Sequence, residues 1–119
     1  MKKKISVLSV NTGDETDCVL DKQRGIKVCE VMNFANAIEE LKTSAFDLVI
    51  TGIPADGEQG HDPETRLIQE AMKNPDVRII GLSLCPEYRD YLKDEGYNHA
   101  LHPSKAGRVI RSQLKMLQS

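Results

Sequence analysis

Val77-Arg-Ile-Ile-Gly-Leu-Ser83, set beside Leu48-Val-Ile-Thr51, is the stretch whose reading decides the fold. Both runs are short, rich in β-branched residues and nearly continuous in apolar side chains. A strand with one wet face alternates apolar and polar residues, whereas a strand covered on both faces does not. These two are therefore expected inside a parallel sheet with helices on either side. Two runs of the same kind, Ile5-Ser-Val-Leu-Ser-Val10 and Ile26-Lys-Val-Cys-Glu-Val31, precede them, bounded by Gly and Asn. A fifth, weakly marked strand is expected around 98–101, because the last two helices need a crossover between them.

Helical patterns fill the spaces between these runs. In 33–45, Asn33 is placed to cap, and Phe34, Ala37, Ile38 and Leu41 fall on one face at spacings of three and four. Asp62-Pro63-Glu64 opens the next helix, since Pro fits a first turn and acids favour the positive helix end. Its stripe is Leu67, Ile68, Ala71 and Met72, and Asn74-Pro75 stops it. Pro86 opens a short helix that Gly96 ends. Ser104 is expected to cap the last helix, with Val109, Ile110, Leu114 and Leu117 as its stripe. Between 14 and 24 the apolar residues are mainly Cys18, Val19 and Leu20, so the first helix is expected to be short or distorted. The sum is (βα)5: an α/β, doubly wound, flavodoxin-like sheet of five parallel strands with right-handed crossovers. Its ligand chemistry would sit beyond the carboxyl ends of the strands.

Composition agrees with a single domain over residues 1–119. The chain is 39% hydrophobic and 29% charged, with 18 acidic and 16 basic residues and a net charge of −2. This excludes disorder and fibrous repeats, and a pI near 5.9 supplies no overall field toward nucleic acid or an anionic membrane. The three cysteines, Cys18, Cys29 and Cys85, have neither C-x-x-C spacing nor neighbouring histidines. They are expected to be small buried hydrophobes rather than reactive thiols, with Cys85, just before the helix opened by Pro86, the least settled. After Lys2 to Lys4 the apolar stretch is too short and too interrupted for a signal peptide, and no run is long enough to span a bilayer. A cytoplasmic location is the expectation.

Gly25-Ile-Lys-Val28 with Asn33-Phe-Ala-Asn-Ala-Ile-Glu-Glu-Leu41, Ala45-Phe-Asp-Leu-Val-Ile-Thr51, Val77 to Ser83 and Leu101-His-Pro103 together carry a family likeness. Over nearly its whole length the chain resembles the receiver domain of bacterial two-component response regulators. The resemblance implies a phosphorelay role, in which an aspartate at the end of the third strand takes a phosphoryl group from a histidine kinase. It also implies an acid pair after the first strand that holds magnesium, a Ser or Thr after the fourth strand, and a Lys before Pro on the fifth. The change is relayed to the face made by the fourth helix, fifth strand and fifth helix. Physically these are an attacking carboxylate, hard oxygen ligands and donors for new negative charge.

Carried over position by position, the acceptor is Gly52, which has no side chain to attack phosphorus. The acid-pair positions are Asn11 and Thr12, neutral groups that do not concentrate magnesium, and the Lys position is His102. Ser83 alone keeps the expected residue type. The aromatic switch position falls on His99, across a turn that reads one residue short. The resulting expectation is a degenerate pseudo-receiver: no catalytic residues, no cofactor, the magnesium site lost, and action through a protein partner. No direct contact with nucleic acid or membrane is expected.

Two other readings stand beside it. Asp14, Glu15, Asp56, Glu58 and Asp62 lie on the functional edge and offer a relocated acceptor or cation site, although Asp56-Gly57 already reads as a turn and the others as solvated or capping residues. Alternatively, Asn11, Thr12, Gly52, Ser83 and His102 form a neutral pocket for a nucleotide or metabolite. Against an enzyme stand the lack of a nucleophile paired with a base and of any phosphate-loop fingerprint. His61, His99 and His102 read more simply as surface residues than as a metal or phosphohistidine site. Tyr88, Tyr91 and Tyr97, with Arg89, Arg108 and Arg111, are expected to form the partner face, or else one or two tyrosines pack beneath the fourth helix. Homodimerisation through the last two helices and action without an output domain complete the expectations.

Overall fold

A computed structural model describes residues 4–52 and 62–118 of the chain. The elements run β1 (Ile5–Val10), α1 (Asp14–Asp21), β2 (Ile26–Val31), α2 (Phe34–Thr43), β3 (Leu48–Gly52), α3 (Asp62–Ala71), β4 (Arg78–Leu82), α4 (Pro86–Asp94), β5 (His99–Leu101), a 3-10 turn (Pro103–Lys105) and α5 (Ala106–Gln118). The five strands form one parallel sheet in the order β2-β1-β3-β4-β5. The doubly wound architecture expected from the sequence is therefore the one found.

Alternation along the central strands divides the core in two. Leu8, Val10, Val49 and Ile79 face one way and meet Ala37 of α2, Leu67, Ile68 and Ala71 of α3, and Leu92 of α4. Ile5, Val7, Leu48, Ile50, Ile80 and Leu82 face the other way and meet Leu20 of α1 and Ile110 and Leu114 of α5. Both faces of β1, β3 and β4 are thus dry, which is why their sequences lack the polar alternation of a half-exposed strand. Edge strand β2 keeps Lys27 and Glu30 in water.

Local signals set the helix ends. Asn33 Oδ1 accepts the Asn36 N–H at 2.8 Å and caps α2. Gly96 adopts φ 112 just beyond α4, a left-handed conformation that glycine takes without steric cost. Two expectations are corrected here. Ser104 does not cap the last helix: a 3-10 turn intervenes, and its cap is the His102 ring, whose Nδ1 accepts the Ser104 N–H at 3.1 Å. Met72 lies past the end of α3 and is 55% exposed, because the helix stops one residue before it.

Candidate functional site

In the strand order β2-β1-β3-β4-β5 the sheet changes winding direction between β1 and β3, so the carboxyl ends of these two strands bound the crevice where this architecture places ligands. Asn11 follows β1 and Gly52 ends β3, and the pairing of Val10 with Thr51 sets them side by side. Asn11 has φ 51, the left-handed region, which Asn tolerates better than most residues with a β-carbon. Its N–H still donates to the Val31 carbonyl at 2.9 Å, so the kink begins only after the last sheet hydrogen bond.

That kink sends the Asn11 carbonyl oxygen into the space a Gly52 side chain would need. A Cβ on Gly52 would collide with this oxygen, lie 2.9 Å from the Asn11 carbonyl carbon and 3.2 Å from Thr12 Cα. All three obstacles are backbone. Glycine here is therefore a packing requirement.

The remaining positions are occupied by local structure. Thr12 Oγ1 and Ser9 Oγ share a hydrogen bond of 2.6 Å, and Ser9 is buried. Buried Ser83 accepts the Cys85 N–H on its hydroxyl at 3.2 Å and Arg89 Nη1 on its carbonyl at 2.8 Å, fixing the turn into α4. The His102 ring also meets Ser104 Oγ at 2.8 Å. The structure thus brings Asn11, Thr12 and Gly52 into contact, and directs Ser83 and His102 to their own turns. A groove of about 180 Å³ beside Asn11 and Thr12 is lined by Ser9, Gly13, Glu30, Val31 and Met32. It opens on the β1 and β2 side, and neither Ser83 nor His102 lines it. A larger cleft, about 400 Å³, lies at the opposite edge of the sheet, between the ends of α2 and α3.

The groups at the acid-pair positions do not fit magnesium. That ion takes carboxylates and waters in a strict octahedron, whereas here one carbonyl is turned onto Gly52 and one hydroxyl is held by Ser9. Among the described residues no group of three His, Cys, Asp or Glu side chains is placed to hold a metal ion. The side chains of Asp14, Glu15 and Asp62, and the whole of Asp56, Glu58 and His61, lie outside the described residues.

Several expectations about the surface are corrected. Tyr97 is 4% exposed and belongs to the core, so it is not part of an exposed partner face. Tyr88 and Tyr91, 5.5 Å apart between ring centroids, are half-buried against that same cluster, while Arg108 and Arg111 are exposed. The cysteines are not buried: Cys18 and Cys85 are exposed and Cys29 is intermediate. Burial, followed by the charge and hydrogen bond of Glu40, raises the Cys29 thiol above its ordinary value despite Lys27, and so keeps it protonated.

A polar group missed by the sequence reading is Gln113, 7% exposed on the inner face of α5. Its Oε1 accepts Arg78 Nε at 3.0 Å and its Nε2 lies 3.3 Å from His99 Nε2. Its position among Val109, Ile110, Leu114 and Leu117 was the available signal: a polar residue inside an apolar stripe.

Comparison of the sequence with protein-family models and with curated proteins finds no match. Solved structures do match. The chain superposes on the receiver domain of a Francisella response regulator with a TM-score of 0.71 at 14% identity, covering 96% of each chain. It matches the response regulator domain of Thermotoga maritima CheB with a TM-score of 0.68 at 15% identity, covering 98% of each. It also matches the pilus assembly protein CpaE from Caulobacter crescentus, with a TM-score of 0.65 at 13% identity over 90% of this chain and 91% of that one. At such identities the likeness is one of fold, and the fold is that of a receiver domain.

Proposed function

We propose that this receiver-like domain is a signalling module that works through contact with a protein partner and does not take a phosphoryl group on aspartate. One observation carries the reading: the end of β3 has no carboxylate, and the space for one is filled by the Asn11 backbone. Phosphoryl transfer to a receiver needs an attacking oxygen and a cation beside it. Gly52 supplies no such oxygen, and Asn11 and Thr12 make a poor magnesium site. The domain is accordingly not an enzyme in this reading, binds no cofactor, and acts in the cytoplasm. No described helix is long and apolar enough to cross a membrane.

The partner surface we assign is the start of α4, with Leu84, 56% exposed, just before it and the outer edges of Tyr88 and Tyr91 on it. Partly exposed aromatic rings are enriched at the centres of protein interfaces. The same surface would serve a homodimer, and light scattering over a concentration series tests that arrangement.

Incubation with acetyl phosphate and magnesium, followed by intact-mass and peptide mass spectrometry, tests the central reading. The expected result is unmodified protein. A stoichiometric, hydroxylamine-sensitive adduct on Asp14, Glu15, Asp56, Glu58, Asp62 or any other carboxylate would overturn it.

A further inference from the structure

At the opposite side of the sheet, α5 is joined to β4 and β5 by a short chain of polar groups sunk among apolar residues. Arg78 Nε is a donor only, so the Gln113 atom 3.0 Å from it is the carbonyl oxygen. The Gln113 amide nitrogen then faces His99 Nε2 at 3.3 Å, and this ring nitrogen must be the acceptor. The arrangement therefore specifies neutral His99 with its proton on Nδ1. We propose that Arg78, Gln113 and His99 form a proton-operated latch that fixes α5 to β4 and β5 while His99 is neutral and releases it when His99 is protonated.

The release follows from donor and acceptor counting. A proton taken from solvent bonds to Nε2 and uses the lone pair that accepted from Gln113, so two N–H groups now face each other. If the amide turns over, its oxygen accepts from the imidazolium, but its nitrogen then faces Arg78 Nε, again donor against donor. Either orientation keeps only one of the two hydrogen bonds, and a buried amide left half satisfied is costly.

Among the described residues no carboxylate contributes to the shift at His99. The charges acting on His99 are Arg78 from β4 and Lys93 from α4, both cationic, and α5 contributes the uncharged Gln113. Burial first, then these two cations, lowers the affinity of His99 for its proton below the ordinary value of 6.5. The latch is thus closed at neutral pH and opens only as the pH falls below 6.5. Because α5 also carries exposed Arg108 and Arg111, its release changes the setting of those two side chains. This inference does not depend on whether any aspartate is phosphorylated.

The test is an NMR titration that follows His99 Cε1–H, the Gln113 side-chain amide and the backbone amides of α5. These signals are expected to move together with one midpoint below 6.5. In Gln113→Glu the carboxylate accepts from Arg78 and from protonated His99 at once, so the His99 midpoint should rise above that of the unmodified protein. That rise checks that residue 113 faces His99; a purely structural Gln113 would leave α5 still through the His99 transition. The latch is overturned if His99 titrates at or above 6.5, if α5 stays still through the His99 transition, or if Gln113→Glu leaves the midpoint unchanged or lowers it. Should Gln113→Glu not fold, His99→Phe serves: α5 is expected to lose its titration, and persistent movement would contradict the latch.

Discussion

The crevice between β1 and β3 and the corner formed by β4, β5 and α5 use opposite means to join neighbouring elements. In the first, backbone meets backbone: the Asn11 carbonyl lies against Gly52. In the second, side chains bridge the elements, and one of them, His99, is titratable. At the ligand crevice of this fold the ends of β1 and β3 meet through backbone, and the polar side-chain bridge lies elsewhere. In the function proposed above, the backbone contact offers a phosphoryl group no second state, whereas the hydrogen-bonded bridge has two.

Gly52→Ala attacks the backbone contact and should have the largest effect. Overpacking a core typically costs ~1–3 kcal/mol, and an obstacle made wholly of backbone puts this site at about 3 kcal/mol, measured by urea denaturation. Restoring the family's residue type with Gly52→Asp should cost at least as much and confer no phosphorylation. Gly81→Ala is the control within the same sheet. Its Cβ would lie 2.8 Å from Leu92 Cδ1 and 3.0 Å from Tyr97 Cδ2, buried side chains rather than backbone, so a smaller loss of about 1–2 kcal/mol is expected. Equal losses at the two glycines would erase the distinction between the regions.

Thr51→Val is expected to raise stability by about 1 kcal/mol, since the Thr51 hydroxyl is buried with no hydrogen-bond partner among the described residues. A loss of stability instead would reveal a partner for that hydroxyl. The smallest effect expected is on pH dependence. His99 binds its proton less tightly when folded than at the unfolded value of 6.5, so between the two values the unfolded chain holds more protons. Stability therefore rises with pH across that window and is lost as pH falls through 6.5 toward the folded value. Urea midpoints measured from above 6.5 to below it should decline, and His99→Phe should flatten the decline.

Much of this was legible before any coordinates. The bounds of β1 and β2 coincide with the Val- and Ile-rich runs because Gly and Asn punctuate both. Asn33 signalled its helix because a capping side chain acts within three residues. The absence of a carboxylate at the end of β3 was equally visible. The backbone contact itself was not, because it depends on where the carbonyl of one loop lies relative to a strand some forty residues on, a matter of φ at Asn11. The cysteines were misplaced for a related reason. Apolar character does not say which way a residue faces on a helix as short as α1, where Thr16 and Leu20 are buried and Cys18 is exposed. For Tyr97 the sequence left two readings open, and the turn at Gly96, with the Tyr97 N–H donating to the Leu92 carbonyl at 3.1 Å, selects the one that packs its ring beneath the fourth helix.

The account's central claim, that the crevice between β1 and β3 has no phosphoryl-binding state, is tested most directly by adding beryllofluoride and magnesium to isotopically labelled protein and recording the backbone amide spectrum. Unmoved resonances at Asn11, Thr12, Gly52 and Ser83 are the predicted result. Saturable shifts at those residues, propagating toward β5 and α5, would contradict it.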